Sequence, residues 1–369
     1  SMGDYLMLNG LSNKYVLILI NGKKLTGDSS NNIDLNRIDM SNVKRIEVLK
    51  GAGSALYGSD AIGGVINIIT NQPINDITVT SNTKVEERGQ FTQTANVDIK
   101  TEKFASYTSY QRRQSDGWTL TRVDADGEAR DQHDANAFYT DNYTQMFQFT
   151  PNDKLSMYVE GSYYDRTVKR QPEYLKYNLT YDAYSLGAGA KYNFNKRSYI
   201  QFDIKNDNYD TNYLYTNEDG DNKVGDEVRQ KRQHYYSGNL KSLFRFTENT
   251  RTIFGVEYIQ ETLDRPSFNV DERAYTWAAY AQEEITLFKN LQIQAGLRYV
   301  YHETAKSNVT PKLAVMYRLG DFTIRGQYSA GFRAPGLDEL YKYSYSQRGT
   351  RAGTVSYTHL RAHETRSNL

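Results

Sequence analysis

Ile200-Gln201-Phe202-Asp203-Ile204-Lys205 alternates one apolar with one polar side chain, the period of two that sends successive side chains to opposite faces of a strand. The same beat returns in residues 291–297, where Leu291, Ile293, Ala295 and Leu297 alternate with Gln292, Gln294 and Gly296. Phe322 and Ile324 alternate with Thr323, Arg325 and Gln327 in the same way. From about Ile77 onward the chain reads as a series of such stretches, each roughly ten residues long, with one wet and one greasy face. About 13 strands are expected before the pattern ends near Gly331.

The connections between these stretches alternate in length. Residues 150–154, 193–196, 247–250, 288–290 and 319–321 read as tight hairpin turns. Between them, residues 114–142, 167–180, 212–232 and 263–273 are longer and rich in Asp, Asn, Arg, Gly and Tyr. Short turns at one end and long loops at the other are the anatomy of an outer-membrane barrel. Such a barrel normally closes with an even number of strands, and an open edge cannot stand in lipid, so the pattern describes part of a barrel. A soluble sandwich also gives period-two strands, but its turns recur evenly rather than alternating long with short.

Composition supports a sheet and narrows the function classes. Of 369 residues 32 are Tyr and only 6 are Pro, and aromatic residues fit a pleated surface. The formal charge is +1 and basic residues are scattered among acidic ones, which leaves no stripe for nucleic acid. With no Cys, disulfides, thiolate metal sites and cysteine nucleophiles are excluded together. No run reaches the roughly 18 apolar residues of a membrane helix, and mean hydropathy is −0.74. A transmembrane barrel also averages low, because its lumen and its outer loops are polar. Ser1-Met2-Gly3-Asp4 leads straight into core-like sequence, so an export signal is expected upstream of Ser1.

The first part of the chain obeys a different rule. Val16-Leu17-Ile18-Leu19-Ile20, Arg45-Ile46-Glu47-Val48-Leu49 and Val65-Ile66-Asn67-Ile68-Ile69 read as short, largely buried strands, with turns at Asn21-Gly22, residues 51–53 and Gly63-Gly64. This compact unit is expected to end at Asn71-Gln72-Pro73. Gly51-Ala52-Gly53 after a strand also matches the start of a dinucleotide fingerprint. There the third glycine would fall at Leu56, and the next strand near Val65 leaves no room for the helix that must hold the pyrophosphate.

Residues 45–70, RIEVLKGAGSALYGSDAIGGVINIIT, resemble the end of the plug domain of TonB-dependent receptors nearly residue for residue. Residues 15–25, YVLILINGKKL, are similar to the preceding strand and turn of that family. Residues 331–341, GFRAPGLDELY, resemble its barrel segment leading into a large extracellular loop. With the alternating pattern between them, the resemblance covers most of the chain. It implies an all-β dominated fold: the C-terminal part of a small α+β plug over residues 1–72, then the N-terminal part of a transmembrane antiparallel β-barrel over residues 73–354. About 13 strands of an expected total of roughly 22 would be present. Gly51, Gly53, Gly58, Gly63 and Gly64, with Tyr57 and Asn67, form a motif whose role is packing: tight turns and close backbone approach inside the plug. Leu8-Asn9-Gly10-Leu11 departs from the family's Ile-Arg-Gly-Leu, so no role of that arginine carries over.

The resemblance further implies energised import across the outer membrane of a Gram-negative bacterium, with the barrel set in outer-membrane lipid. A scarce ligand, an iron-siderophore or haem first and cobalamin second, would bind the extracellular loops and the plug apex. The TonB-ExbB-ExbD complex would then pull on a TonB box that is not in this chain. A transporter with no enzymatic activity, no cofactor and no nucleic-acid partner is expected. A passive porin-like channel or a structural barrel would make no use of a plug.

Candidate chemistry is sparse. His133, His234 and His302 are isolated, with no H-E-x-x-H or G-x-S-x-G arrangement. His133 falls in an expected extracellular loop, where it is a candidate haem contact or simply solvated. Asp219-Gly220-Asp221-Asn222 with Asp226-Glu227 supplies hard oxygens, but Lys223 intrudes and the glycine is misplaced for calcium, which favours a solvated loop. Arg333, Tyr341 and Tyr343 are ligand-binding candidates by loop position and chemistry, with loop structuring the plain alternative for Arg333. The many tyrosines have two homes, interface girdles and ligand stacking. Residues 355–369 resemble the translation of a sequencing-library adapter and are expected to be non-native, which removes His359 and His363 from metal reasoning.

Overall fold

The computed structural model describes residues 6–8, 10–12, 15–29, 32–74, 76–123, 127–170, 175–341, 343–346, 349–352 and 362–367. Val16–Ile20 (β1), Lys23–Lys24 (β2), Val43–Lys50 (β3) and Gly64–Thr70 (β4) form one small sheet in the order β2-β1-β4-β3. Its central pair is parallel and its outer pairs are antiparallel. An unbroken apolar run in β1 suits a strand covered on both sides. Leu17 and Leu19 pack with Ala61 and Val65 on one face, and Ile18 with Leu25, Ile38 and Ile68 on the other.

The edge strand β3 departs from expectation. It is not buried: Ile46 and Val48 are 50% and 49% exposed. Apolar composition marked the strand correctly, but it does not say what stands beyond an outermost strand. Gly51 and Gly58 hold φ of +84° and +85°, where only glycine turns without strain. Between them Ser54–Tyr57 makes a single helical turn, too short for a pyrophosphate-binding helix.

Thirteen strands then run from Ile77–Glu86 to Phe322–Gly331 as an antiparallel meander, each bonded to its neighbour. Ala362–Ser367 lies against the last of them and completes a sheet of 14 strands. A bare strand edge accepts almost any extended segment, so this pairing says little about the segment's origin. The strands are taller than the expected ten residues, reaching 19 in Tyr177–Asn195. Two expected loops shrink accordingly. Residues 263–273 are mostly strand, joined by the one-turn Pro266–Phe268, and residues 212–232 keep only 216–226 as a connection. Polar, Tyr-rich sequence suits a strand that rises above the bilayer as well as it suits a loop, because both faces there meet water or the plug. At the other end every connection is short, as expected.

The outer face carries Val159, Leu186, Phe202, Ile204, Leu240 and Val256, all exposed. Aromatic rows border this band. Tyr110, Tyr143, Tyr163 and Tyr184 are successive cross-strand neighbours, with ring centroids 4.8 and 6.5 Å apart in the first two pairs. Near the short turns Phe244 stacks on Phe194, Phe246 and Phe254 at 5.5 to 5.8 Å. Tyr184 and Phe194 lie on one strand ten residues apart. That is about 33 Å along the strand, or about 25 Å of height at a tilt near 40°, the height of the apolar band of an outer-membrane barrel.

Candidate functional site

The N-terminal unit sits on the inner face of the curved wall, and apart from Leu56 against Leu243, Ile253 and Tyr280 the contacts that join them are largely polar. Two one-turn helices, Leu35–Arg37 and Met40–Asn42, project from it, capped by Asp34 and Asp39. Each cap has a second task. Asp34 Oδ2 accepts from Tyr164 at 2.6 Å and Tyr209 at 2.9 Å, and Arg166 stands 3.5 Å from Oδ1. Asp39 accepts from Ser109 at 2.6 Å and Gln111 at 2.9 Å. Arg37 Nη2 meets Asp207 at 2.7 Å, with side chains 5% and 0% exposed. Asp207 also receives Thr26, Ser185 and Lys205, so its charge is fully compensated.

A second set of contacts continues from the first, because Lys205 Nζ donates to the Lys24 carbonyl at 3.0 Å as well as to Asp207. Lys23 pairs with Glu160 at 2.5 Å, and Lys24 with Asp60 at 2.8 Å and Glu261 at 3.9 Å. Burial works against the Lys24 ammonium, yet Asp60, Glu261 and Tyr235 raise it well above the ordinary lysine range. Asp60 is held below the usual carboxylate range because Lys24 and Arg333 outweigh its burial. Asn67 accepts from the Gly22 amide at 2.9 Å and donates to Glu47 at 3.2 Å, a role inside the unit. A Cβ at Gly58 would stand 2.8 Å from Arg298, so the glycine lets the turn meet the wall. Leu8 and Leu11, from the departing segment, pack on Gly64 and Gly63.

Arg333 lies between Asp60 at 3.3 Å and Glu339 at 2.5 Å, with its guanidinium 5.5 Å from the Tyr15 ring. Its segment is sewn to the unit: Phe332 and Ala334 amides donate to Ser54 and Ser59 at 3.2 Å, and Ser329 donates to the Ala52 carbonyl at 2.8 Å. Tyr341 ends the one-turn helix Leu337–Leu340, which Lys231 and Arg265 hold through Asp338, and packs on Leu337. Tyr343 lies in the short strand Tyr343–Ser346 and His133 in the hairpin strand Ala129–Ala135; both side chains are outside the described residues. His302 Nδ1 accepts from the Thr304 and Ala305 amides at 3.1 Å, which makes it a turn cap, while His234 stacks on Tyr236. In the acidic loop, Asp219 pairs with Lys176 at 3.0 Å.

Two features can take a ligand. A cavity of about 450 Å³ separates the unit from the wall, lined by Lys24, Asp60, Glu261, Arg298, His302 and Arg333 among others. Above Asn36, toward the long connections, Arg113 and Arg166 stand 6.0 and 5.4 Å from the Phe138 ring, and Arg166 lies 5.9 Å from Tyr181. Fixed guanidinium groups beside aromatic faces suit an anionic, partly aromatic ligand. Sequence reading missed Asp34, Arg37, Lys24, Asp60 and these arginines; the two arginines were marked only by their place in polar, alternating strands, and the four plug residues carried no mark at all.

A globular unit with a glycine-rich turn, tied inside a partial antiparallel barrel with aromatic girdles, is an arrangement that comparison with known proteins resolves. Residues 88–367 match the TonB dependent receptor-like beta-barrel, and residues 1–65 match the TonB-dependent receptor plug domain. The chain belongs to the TonB-dependent receptor family. Its barrel lies in the outer membrane of Gram-negative bacteria, as the family's does, and the N-terminal unit is the plug. A vitamin B12 transporter of Vibrio cholerae is 25% identical over 365 residues, covering 92% of this chain and 55% of its own length. An iron-regulated outer membrane virulence protein of the same species is 26% identical over 378 residues, covering 90% and 52%. The siderophore receptor PirA of Pseudomonas aeruginosa superposes with a TM-score of 0.72 at 21% identity, over 96% of this chain and 63% of that one. The FrpB iron transporter of Neisseria meningitidis gives 0.74 at 16%, over 90% and 58%. The chain thus spans about half the length of the curated relatives it matches.

Proposed function

We propose that the whole protein is an energised outer-membrane importer of a scarce, bulky anionic ligand, a ferric siderophore in the first place. The observation that carries this reading is the plug: a folded unit sits against the inner face of the wall and is held there by buried ion pairs and hydrogen bonds beside a small apolar contact at Leu56. A passive pore gains nothing from such a unit, and an importer needs a gate that closes firmly and releases when pulled. The Arg113 and Arg166 pair with Phe138 and Tyr181 favours an anionic aromatic chelate. A TonB-ExbB-ExbD complex would supply the pull, and no residue here is assigned a catalytic role. Cobalamin is the second reading, favoured by the likeness to vitamin B12 transporters at 25% identity. Haem comes third, resting on His133. Arg333 is assigned as a plug tie, with Tyr341 and Tyr343 beside the ligand path.

Cells producing the full-length protein, with and without TonB, test the reading with labelled ferric siderophores, cobalamin and haem. Uptake of a ferric siderophore only when TonB is present is the expected result. Equal uptake without TonB would overturn the mechanism, and uptake of cobalamin alone would replace the ligand.

A further inference from the structure

The segment that follows the last strand of the meander runs back across the inner side of the wall. Three strands separate Phe322–Gly331 from Thr250–Arg265, and Glu227–Phe244 lies one further on. Residues 332–341 cross that distance and end on both: Asp338 pairs with Arg265 and, at 3.2 Å, with Lys231. At about 4.8 Å per strand the crossing to Thr250–Arg265 is about 19 Å along the wall, most of the roughly 24 Å that the seven residues from Gly331 to Asp338 can reach. The strap has little slack. Along its length, from Phe332 to Glu339, it lines the cavity of about 450 Å³ between plug and wall.

Its far end is held in two ways. Leu337 and Leu340 pack on Leu263, Val270 and Ala274, with Phe268 and Tyr341 beside them. The Asp338, Lys231 and Arg265 side chains are only 8%, 11% and 13% exposed. Burial works against the Asp338 carboxylate, yet Lys231 and Arg265 hold it below its ordinary range. The site is not fully used. Arg265 reaches Asp338 through Nη2, while its Nε is buried and, among the described residues, has no hydrogen-bond partner.

A guanidinium and an ammonium that converge on one carboxylate form a site for any oxyanion, and a planar chelating anion would also take the idle Nε edge. Phe268 and Tyr341 add aromatic faces, the combination that Arg113 and Arg166 make with Phe138 and Tyr181. We infer that Lys231 and Arg265 are a second anion site of the lumen, which Asp338 fills as a stand-in for a carboxylate or catecholate group of the cargo. Such a group displaces Asp338 into water, and the turn Leu337–Leu340 lifts from Leu263 and Val270 and opens the cavity. Cargo and Asp338 compete for the same two cations, so the affinity measured from outside carries the cost of lifting the strap. Cargo without an anionic group leaves the strap closed, which makes the strap a selectivity device. The inference rests on the anionic cargo proposed above.

Full-length protein in detergent tests it with three probes: the trianionic iron(III) complex of a hexadentate tris-catecholate, the neutral iron(III) complex of a hexadentate tris-hydroxamate, and citrate without iron. The chain holds no cysteine, so Leu337→Cys places a single buried thiol at the far end of the strap. The tris-catecholate complex and citrate should each speed its modification about tenfold, and the neutral complex should not. Asp338→Asn should bind the tris-catecholate complex about tenfold more tightly, because nothing competes for the cations. Lys231→Gln/Arg265→Gln should bind it about tenfold more weakly, although both changes free the strap. A strap that is only structural shifts both variants the same way. Asp264→Asn removes the same charge from Arg229, next to the site, and should stay within about twofold. Equal signs for the two site variants, or a thiol that no anion uncovers, would overturn the inference and leave the importer reading in place. Citrate uncovering the thiol where the tris-catecholate complex fails to bind would keep the strap and sink the siderophore reading. Heat-modifiable gel mobility verifies that each variant is a folded barrel, and the thiol readout stands independently of Asp338→Asn.

Discussion

Asp34 and Arg37 show how a capping residue becomes a tie between two folding units. The cap is local, Asp34 to the Asn36 amide at 3.1 Å, and its spare carboxylate oxygen reaches Tyr164 and Tyr209 of the wall. Arg37 then closes on Asp207 where neither side chain meets solvent. Arg37→Ala is expected to cost about 3–5 kcal/mol of plug docking, because the Asp207 charge stays buried with less compensation. Arg37→Met with Asp207→Leu should not recover it, because Lys205, 3.1 Å from Asp207, then becomes the buried charge without a partner; hydrogen exchange of plug amides in the full-length protein reads both. The pH response follows from the same groups. Burial raises the Asp34 carboxyl, but the Arg166 charge and hydrogen bonds from Tyr164, Asn36 and Tyr209 bring it below its ordinary 3.8. A lowered carboxylate stabilises above its unfolded value, and that contribution fades only as pH falls through the folded one. Lys24 is raised, so its contribution is complete below 10.5 and fades at higher pH. The contributions of Asp34 and Lys24 to plug protection should therefore both be present between 3.8 and 10.5 and be lost outside that window, so Asp34→Asn should remove the acid limb and Lys24→Met the alkaline one. Acid and alkaline limbs unchanged in those two variants would contradict these ties.

Strands and turns divide the labour differently in plug and wall. Gly64 holds φ at +150°, and a Cβ there would run into the Leu49 carbonyl and the Leu8 side chain, so Gly64→Ala strains both the backbone and the β3–β4 pairing. A loss of about 1–3 kcal/mol is expected. Denaturant titration of the plug signal checks it, and an unchanged midpoint would remove the close-approach reading of this motif. The glycines were legible before the fold was known because a positive φ leaves few substitutes. The wall was legible for a similar reason: alternation is imposed by the pleat itself, as in residues 200–205. Strand height was not, since Asp264 and Asp271 are polar enough for a loop yet pair across a ladder. The plug ties were not legible either. Asp207 and Lys205 announce a wet inner face, and only the fold reveals which plug groups meet it, the Arg37 guanidinium and the Lys24 carbonyl. We propose that residues 355–369 are foreign, in which case a chain ending at Thr354 should keep every register from Ile77–Glu86 to Phe322–Gly331, readable as unchanged exchange protection.

Whether the whole molecule is a membrane wall or a soluble sheet turns on the face that points away from the plug. Ile204 is 48% exposed, flanked across the strands by Ala188 and Gly238, and lies between the two aromatic rows. On a water-facing sheet, Ile204→Arg changes stability within about 0.5 kcal/mol, as surface substitutions do. In the middle of a bilayer the same change costs about 2–4 kcal/mol, because the guanidinium must be desolvated or must drag water and headgroups inward. Lys205→Ala, one residue along, points the other way and touches no lipid; it removes the 3.1 Å contact with Asp207 and should loosen the plug without destabilising the wall. Reversible unfolding of the full-length protein from lipid vesicles, followed separately at wall and plug, distinguishes these outcomes. The expected pattern is a crossed one, in which the Ile204 variant shifts the wall and the Lys205 variant shifts plug protection. A near-zero effect for Ile204→Arg would mean that the exposed apolar band faces water, and the barrel reading with every transport inference above would fall with it.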